Sequence, residues 1–337
     1  MRIPRMGGES ARKLGLKGNI IGVDSETTGL FPWSIRNIEI NFGTEKKPNT
    51  EKRDIHPSRA FAWSFCDLEG NTAYIRHDIN PRNREILYTD KNEQGLIQKF
   101  WADKTITKVG HNIAFDILMA RMAGYKIKGQ IIDTLILAHI VSAGSEITYA
   151  LKPLCKKWFE YGDLDSRELQ KSVAAGRRIA KKNKWAFANH IIGGRTPANA
   201  DYWLADHRLC EKYAVQDAER TILLYQLLWP KLIDDEGLKN VFDREMKLFP
   251  VVARMTEKGI RVYKRRFDRL KKFYLDYIVE QTEIANQHGG SGVNLASTQQ
   301  LCKIFYDDRK LTPMFTDKGN YSLQGTHLTE LAKTDKL

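Results

Sequence analysis

The segment IIGVDSETTGL, residues 20–30, begins as an apolar run and leads into two closely spaced carboxylates. Its β-branched start predicts a buried strand. Because strand side chains two residues apart point to the same face, we expect Asp24 and Glu26 to converge at the strand end. Like charges this close repel each other, and hard divalent cations with oxygen ligands suit such a pair. The competing interpretation is a solvated strand end.

Two later segments add acidic residues at positions set by helices. Asn112 follows a short predicted strand and opens a helix over 113–123, which places Asp116 in the first turn. Ordinary capping by Asn112 and the helix dipole would explain this motif equally well. Tyr213 and Asp217 are four residues apart in a long predicted helix, so they share one helical face. A core tyrosine and a solvated aspartate are the alternatives there.

Strands and helices alternate in the first two thirds of the chain, with an early hairpin, which predicts an α/β domain built on a mixed sheet. The polar stretch 34–59 is interpreted as a long surface insertion. After Pro230 the sequence becomes helical and strand-poor, and we place a domain boundary near residue 235. The predicted organisation is a flexible basic leader at 1–18, an α/β domain at 19–234 and a helical segment at 235–337.

Composition limits the class of protein and the class of partner. The 337 residues are 42% hydrophobic, without a long uninterrupted apolar run or a secretory signal, so a cytoplasmic location is the default. The four cysteines are too far apart for a zinc site or a redox pair and are interpreted as reduced, mostly buried thiols. A formal net charge of +13 favours a polyanionic partner, which leaves DNA, RNA and acidic surfaces open.

The combination of motifs is more specific than any one of them. Residues 24–30 (DSETTGL), 112–116 (NIAFD) and 213–217 (YAVQD) resemble the three exonuclease motifs of the DEDD superfamily, in its tyrosine-containing branch. The resemblance implies a ribonuclease H-like fold and two Mg²⁺ or Mn²⁺ ions that cleave a phosphodiester bond. The residues implied to hold the metals are Asp24, Glu26, Asp116 and Asp217. Tyr213 is implied to orient the attacking water, and the positions implied to contact the terminal nucleotides are Thr27, Leu30, Asn112 and Phe115.

The C-terminal third bears on the substrate. Residues 248–262, 293–301 and 316–322 resemble the segments that join the exonuclease domain to the thumb, and the start of the thumb, in family A DNA polymerases. The resemblance implies 3′-5′ hydrolysis of DNA to nucleoside 5′-monophosphates, as in proofreading. Segments resembling the palm and fingers are not found, so we expect no polymerisation by this chain alone. The partners implied are a DNA 3′ end and a separate palm and fingers chain of a divided or truncated bacterial or phage polymerase.

Two other functions remain open from the sequence. One is a 3′-5′ exoribonuclease of the RNase D type, and the other is a DNA-binding or assembly subunit for a separate polymerase chain. Basic stretches at 177–187 and 264–288 would suit single-stranded DNA and duplex phosphates respectively, and solvated helix faces are the alternative in both.

Overall fold

The computed structural model describes residues 9–43, 47–161, 164–187, 198–289, 292–316 and 319–334. The chain forms two compact units, residues 1–258 and residues 259–337. The strands of the first unit are β1 (Ile20–Thr27), β2 (Arg36–Asn41), β3 (Thr50–Ile55), β4 (Ala60–Asp67), β5 (Thr72–Arg76), β6 (Asp78–Ile79), β7 (Ile86–Leu87), β8 (Thr107–Gly110) and β9 (Ile131–Asp133).

Helices cover the sheet of the first unit and form most of the second. Those of the first unit are α1 (Glu9–Lys13), α2 (Lys91–Ala102), α3 (Ala114–Met122), α4 (Thr134–Val141), α5 (Leu151–Phe159), α6 (Leu164–Lys182), a 3-10 segment (Ala198–Leu204), α7 (His207–Ile233) and α8 (Glu236–Lys258). Those of the second are α9 (Lys264–Gly289), α10 (Thr298–Cys302), a π-helical turn (Lys303–Asp308) and α11 (Gly325–Thr334).

The main sheet is mixed, with the order β5-β4-β1-β8-β9. β1 lies in the middle, antiparallel to β4 and parallel to β8. β4 is buried along its whole length because it lies between two strands and is covered on both faces, as expected for a continuous apolar run. On one side Trp63 packs edge-on against Trp101 of α2, with ring centroids 5.4 Å apart. The predicted class, an α/β domain on a mixed sheet followed by a mainly helical segment, is confirmed.

The long helix α7 packs directly on β1 and β4. It begins after Asp206, whose carboxylate accepts hydrogen bonds from the amides of Arg208 and Leu209 and so satisfies otherwise unpaired donors of the first turn. Gly22 of β1 permits the close approach, since a Cβ atom there would lie 2.7 Å from Cγ1 of Ile222 and 3.0 Å from the carbonyl oxygen of Ala218. This contact brings the end of β1 beside the middle of α7.

Three features of the domain organisation differ from the prediction. The leader is wrong from Glu9 onward, because α1 and the following turn bury Ala11 and Leu16 in the core. The insertion at 34–59 includes the β2–β3 hairpin, whose Ile40 and Ile55 are buried. The boundary near 235 falls inside the first unit, which ends at residue 258, because α8 packs on α3, α4 and α7.

The second unit is helical and has a small core of its own, formed around Cys302, Tyr306 and Leu331. Its long helix α9 exposes large apolar side chains, among them Phe267 and Phe273. All four cysteines of the chain are free and buried, as predicted. Within the described parts of the chain, no helix combines the length and apolar character needed to cross a membrane.

Candidate functional site

Four carboxylates from three elements face one another at the end of β1. Asp24 and Glu26 lie two residues apart on the strand, Asp116 is in the first turn of α3, and Asp217 is in the middle of α7. The charges of the other three all act on Asp24. Between the two strand carboxylates, the hydroxyl of Ser25 donates a hydrogen bond of 2.5 Å to Oδ1 of Asp116. The pairing of β1 with β8 therefore brings the start of α3 to the strand end.

Removal from water and mutual repulsion disfavour the charged forms of these carboxylates. Burial, and then the neighbouring Asp116, Glu26 and Asp217, raises the pKa of Asp24 well above its ordinary value. Burial is also the largest influence on Glu26, whose pKa rises to about 8. Burial raises the pKa of Asp116 to about 7 against the opposing hydrogen bond from Ser25. The cluster thus has a deficit of positive charge, which favours cation binding.

Asp217 differs from the other three carboxylates because it has a buried cation of its own. Nη1 of Arg220 lies 2.7 Å from Oδ1 of Asp217, and the two side chains are 4% and 12% exposed. The guanidinium group also lies over the ring of Tyr161, 4.9 Å from its centroid. The pair holds Oδ1 of Asp217 against Arg220, while the charge of Asp217 also acts on Asp24 and Glu26.

The Tyr213 hydroxyl lies next to the carboxylates and contacts two side chains that sequence reasoning missed. Nζ of Lys152 donates to the hydroxyl oxygen of Tyr213 over 2.5 Å. The ring of Tyr202 packs edge-on against that of Tyr213, with centroids 5.0 Å apart. Burial, followed by the charge of Asp217, raises the pKa of Tyr213, so the phenol stays neutral. Nothing in the sequence around Lys152 distinguishes it from an ordinary surface lysine.

Asp133, at the end of β9, holds the turn that leads into α3. Its carboxylate accepts hydrogen bonds from the backbone amides of Asn112, Ile113 and Leu135 at 2.9, 3.1 and 2.9 Å. Asn112 has φ 60°, a left-handed conformation that asparagine tolerates better than most residues. Asp133 was also missed, although an aspartate directly before an apolar helix is a recognisable N-cap. The hydrogen bonds of Asp133 fix the turn before α3 and so fix the position of Asp116 in that helix.

A second buried network anchors the loop that follows β1. The guanidinium of Arg84 donates to the carbonyl oxygens of Thr28 and Ala200. Its partner Asp201 is fully buried and also binds Nε of Arg177 at 2.8 Å. Burial lowers the pKa of Arg84 to about 10, which leaves it charged at neutral pH. The network joins the 3-10 segment to the loop beyond Thr27.

This network also changes the interpretation of the basic stretch at 177–187. Arg177 forms an ion pair with Asp201. The side chain of Phe187 is only 4% exposed and belongs to a core cluster. Base stacking on Phe187 is therefore ruled out, whereas Arg178 and the lysines near the end of α6 stay exposed or partly exposed.

The four predicted nucleotide-contacting residues flank the carboxylates along the chain. Leu30 is 78% exposed and Asn112 is exposed, so both side chains are available to a ligand. Thr27 directly follows Glu26, and its hydroxyl donates to the carbonyl oxygen of Gly29 at 3.0 Å. Phe115 precedes Asp116 and is partly buried against the core. Their contact with nucleotides stays a prediction.

The donor set fits a hard divalent ion. Carboxylate oxygens are preferred ligands of Mg²⁺ and Mn²⁺. In the described parts of the chain, no three acidic, histidine or cysteine side chains converge tightly enough to enclose an ion as they stand. Mg²⁺ usually binds one or two carboxylates and completes its shell with water and substrate phosphate oxygens. An open cluster with raised carboxylate pKa values is consistent with that mode of binding.

Comparison with known proteins places this geometry in a family. A family model described as a 3′-5′ exonuclease, of the DNA polymerase A type, matches residues 9–233. DNA polymerase I of Treponema pallidum is 28% identical over 240 residues, which are 70% of this chain and 21% of that protein. The DNA polymerase of Escherichia phage T5 is 24% identical over 297 residues, with 79% of this chain and 33% of its own length covered. The chain spans a fifth to a third of the length of these relatives.

Similarity to solved structures is weaker. The NrnC protein of Brucella melitensis with bound Mg²⁺ matches with a TM-score of 0.44 and 14% identity, covering 76% of this chain and 92% of that one. Because the TM-score is below 0.5, the relationship rests on the family match, which extends from α1 to the end of α7.

Proposed function

Because this chain belongs to the 3′-5′ exonuclease family of the DNA polymerase A type, we propose that it removes nucleotides from the 3′ end of DNA in a metal-dependent reaction. The first unit has the ribonuclease H-like fold implied by the motifs. The observation that carries the proposal is the cluster of Asp24, Glu26, Asp116 and Asp217, whose mutual repulsion calls for cations at the position where a phosphodiester would bind. The proposed products are nucleoside 5′-monophosphates and a shortened strand.

Each side chain has a role in this proposal that follows from its position. Asp24, Glu26, Asp116 and Asp217 are the proposed ligands of two divalent ions. When bound, such ions supply positive charge that activates water and stabilises the leaving 3′ oxygen. Glu26 and the neutral phenol of Tyr213 lie close enough to interact electrostatically. A carboxylate that accepts and a phenol that donates can orient one water for in-line attack.

The proposed binding of the DNA end uses residues around the cluster. Exposed Leu30 offers an apolar surface to the terminal base, and exposed Asn112 offers an amide to the sugar or phosphate. Thr27 and Phe115 are the further proposed contacts. A terminal nucleotide held between the loop after β1 and the start of α3 would have its phosphodiester beside the carboxylates.

A strand-shortening assay tests the proposal. The purified chain and the Asp24→Ala/Glu26→Ala double variant are incubated with 5′-labelled single-stranded DNA, mismatched primer-template and RNA of the same sequence, with Mg²⁺ or EDTA. The expected result is Mg²⁺-dependent 3′ shortening of DNA that the double variant lacks and the matched control Glu168→Ala, an exposed carboxylate on α6, retains.

The same assay separates the proposal from its competitors. Preferential shortening of the RNA would replace DNA proofreading with an RNA-processing function at the same site. Hydrolysis by the double variant would remove Asp24 and Glu26 from the mechanism. No hydrolysis by the wild-type chain under any condition would favour the DNA-binding or assembly subunit.

The proposed partners are the DNA 3′ end and a separate polymerase chain. The formal net charge of +13 suits a nucleic acid partner. The exposed apolar side chains of α9, among them Phe267, Phe273 and Tyr274, are the proposed docking surface for a palm and fingers chain. Co-purification of such a chain with the wild type, and its loss from a Phe273→Ser variant, would support that assembly.

A further inference from the structure

Lys152, in the first turn of α5, turns towards the site rather than to solvent. Its Nζ lies 2.5 Å from the hydroxyl oxygen of Tyr213 and 3.8 Å from the centroid of the same ring. The ammonium group thus makes a hydrogen bond and a cation-π contact with one side chain at once. Lys156 and Lys157 of the same helix are exposed, and Lys157 pairs with Glu146 outside the site.

The packing of α5 fixes the direction of Lys152. Leu154 and Cys155 are buried in the core cluster that includes α7. The thiol of Cys155 also lies 3.9 Å from the carbonyl oxygen of Arg220. Residues three apart lie on the same side of a helix, so the side of α5 that places Cys155 against α7 also carries Lys152. The packing of Leu154 and Cys155 in the core therefore directs the Lys152 side chain towards Tyr213.

The chemistry of the two groups determines the direction of the hydrogen bond. An ammonium group has three donors and no acceptor, whereas a phenol has one donor and two lone pairs. Lys152 must therefore donate and Tyr213 must accept. With Lys152 on one lone pair of the oxygen, the O–H of Tyr213 points away from the ammonium group and can reach an acceptor on the carboxylate side.

We propose that Lys152 is a positioning residue for the proposed exonuclease reaction. It holds the hydroxyl oxygen of Tyr213 so that the phenolic O–H points to the attacking water. This inference rests on the proposed function. It adds a residue that acts through Tyr213 rather than by binding a metal or the DNA.

The charge of Lys152 has a secondary effect on the carboxylates. Burial and the neighbouring acids raise the pKa of Asp24 and of Glu26, and the positive charge of Lys152 opposes that rise. A role through charge alone would be served by any cation at this position, whereas a role through Tyr213 depends on the hydroxyl group. The two roles are separable by removing that hydroxyl.

A double-mutant cycle makes the separation. Single-turnover rates of 3′ shortening are measured with 5′-labelled single-stranded DNA and Mg²⁺ for the wild type, Lys152→Met, Tyr213→Phe and the double variant. DNA affinity is measured in EDTA for each, with Lys152→Arg as the conservative variant and Lys156→Met as the matched control. Thermal melting shows whether each variant is folded.

The expected result is a rate loss of about tenfold to a hundredfold for Lys152→Met, the usual range when a reacting group is misplaced. DNA affinity should change less than about twofold, Lys152→Arg should restore part of the rate, and Lys156→Met should match the wild type. In the Tyr213→Phe background, Lys152→Met should cause no further loss, because two residues that act through one contact are not additive.

Three results would overturn the inference. Full additivity in the cycle would assign Lys152 a role independent of Tyr213. A wild-type rate in Lys152→Met would remove it from the reaction while leaving the proposed exonuclease intact. No hydrolysis by the wild-type chain would overturn the exonuclease proposal itself, and this inference with it.

Discussion

Arg220 and Asp217 form a buried ion pair one turn apart on α7, with 2.7 Å between Nη1 and Oδ1. Of the four clustered carboxylates, Asp217 is thus compensated by a protein cation before any metal binds. At Asp24 and Glu26, burial and the neighbouring carboxylates outweigh the opposing positive charge of Lys152, so the pKa of each is raised. Substitution by the neutral isostere should therefore have opposite effects on stability at Asp217 and at Glu26.

The first prediction concerns this ion pair. Arg220→Met removes the buried ion pair with Asp217 and should lower the free energy of unfolding by about 3–5 kcal/mol. The measurement is urea denaturation in EDTA. The double variant Arg220→Met/Asp217→Asn should recover part of the loss, because the buried negative charge is then removed. A single variant as stable as the wild type would contradict the prediction.

The second prediction concerns pH. The pKa of Glu26 is about 8 in the folded chain against 4.5 for an ordinary glutamate. Between these values the folded state retains a proton that the unfolded state has lost, so stability falls as pH rises. In EDTA, Glu26→Gln should remove the part of the stability loss that comes from Glu26. The melting temperature of the variant minus that of the wild type should therefore increase from about pH 5.5 to about pH 8.

Melting curves of both proteins at several pH values provide the check for that prediction. The matched control is Glu168→Gln, because this carboxylate on α6 is exposed and lies in another element than the cluster. Parallel curves for the wild type and Glu26→Gln would show that Glu26 has the same affinity for protons in the folded and unfolded states.

The third prediction concerns metal binding in the absence of substrate. Mg²⁺ at a hundred times its dissociation constant should stabilise the wild type by about 2.7 kcal/mol through linkage. That corresponds to a rise of about 5–10 °C in melting temperature. Asp24→Asn/Glu26→Gln should show no such rise. NaCl of equal ionic strength separates binding from screening, and an equal rise with NaCl would contradict a specific site.

The fourth prediction concerns the turn before α3. Asp133→Ala removes the acceptor of three backbone amides and should cost about 1–3 kcal/mol for each amide left without a partner. The strand-shortening rate should fall with stability because Asp116 is less firmly held. Asn112→Gly provides the contrast, since glycine adopts φ 60° readily.

Asn112→Gly should therefore keep the melting temperature near that of the wild type and weaken DNA binding, because only the side chain is lost. Fluorescence anisotropy with labelled single-stranded DNA in EDTA measures the affinity. Unchanged DNA affinity with a lowered melting temperature would show that Asn112 serves the turn alone.

Much of the fold could be predicted because apolar runs and helix-ending glycines are visible in short stretches of sequence. The apolar runs of β1 and β4 and the glycine that ends α8 at Gly259 are visible without tertiary information. The packing of α1 was missed because a five-residue helix with two buried side chains has no detectable period. The division at residue 258 was missed because α8 has the same composition whether it packs on the first unit or the second.

The predicted site residues illustrate the same limit. Motif spacing indicated the five central residues, and in the structure their charges act on one another, while their roles stay a prediction. Lys152 was missed because a lysine on an amphipathic helix has the same pattern whether it faces water or a tyrosine. Arg84 was missed because its contacts with Thr28 and Ala200 join residues far apart in sequence.

The close approach of β1 and α7 at Gly22 has a consequence for the width of the site. Gly22 lies two residues before Asp24, and the backbone of Ala218, which it faces, directly follows Asp217. A single methyl group at Gly22 would push strand and helix apart and so increase the distance between Asp24 and Asp217. The absence of a side chain at Gly22 therefore sets how closely β1 and α7 approach. Substitution of Gly22 would alter the distance between Asp24 and Asp217 without replacing any reactive side chain.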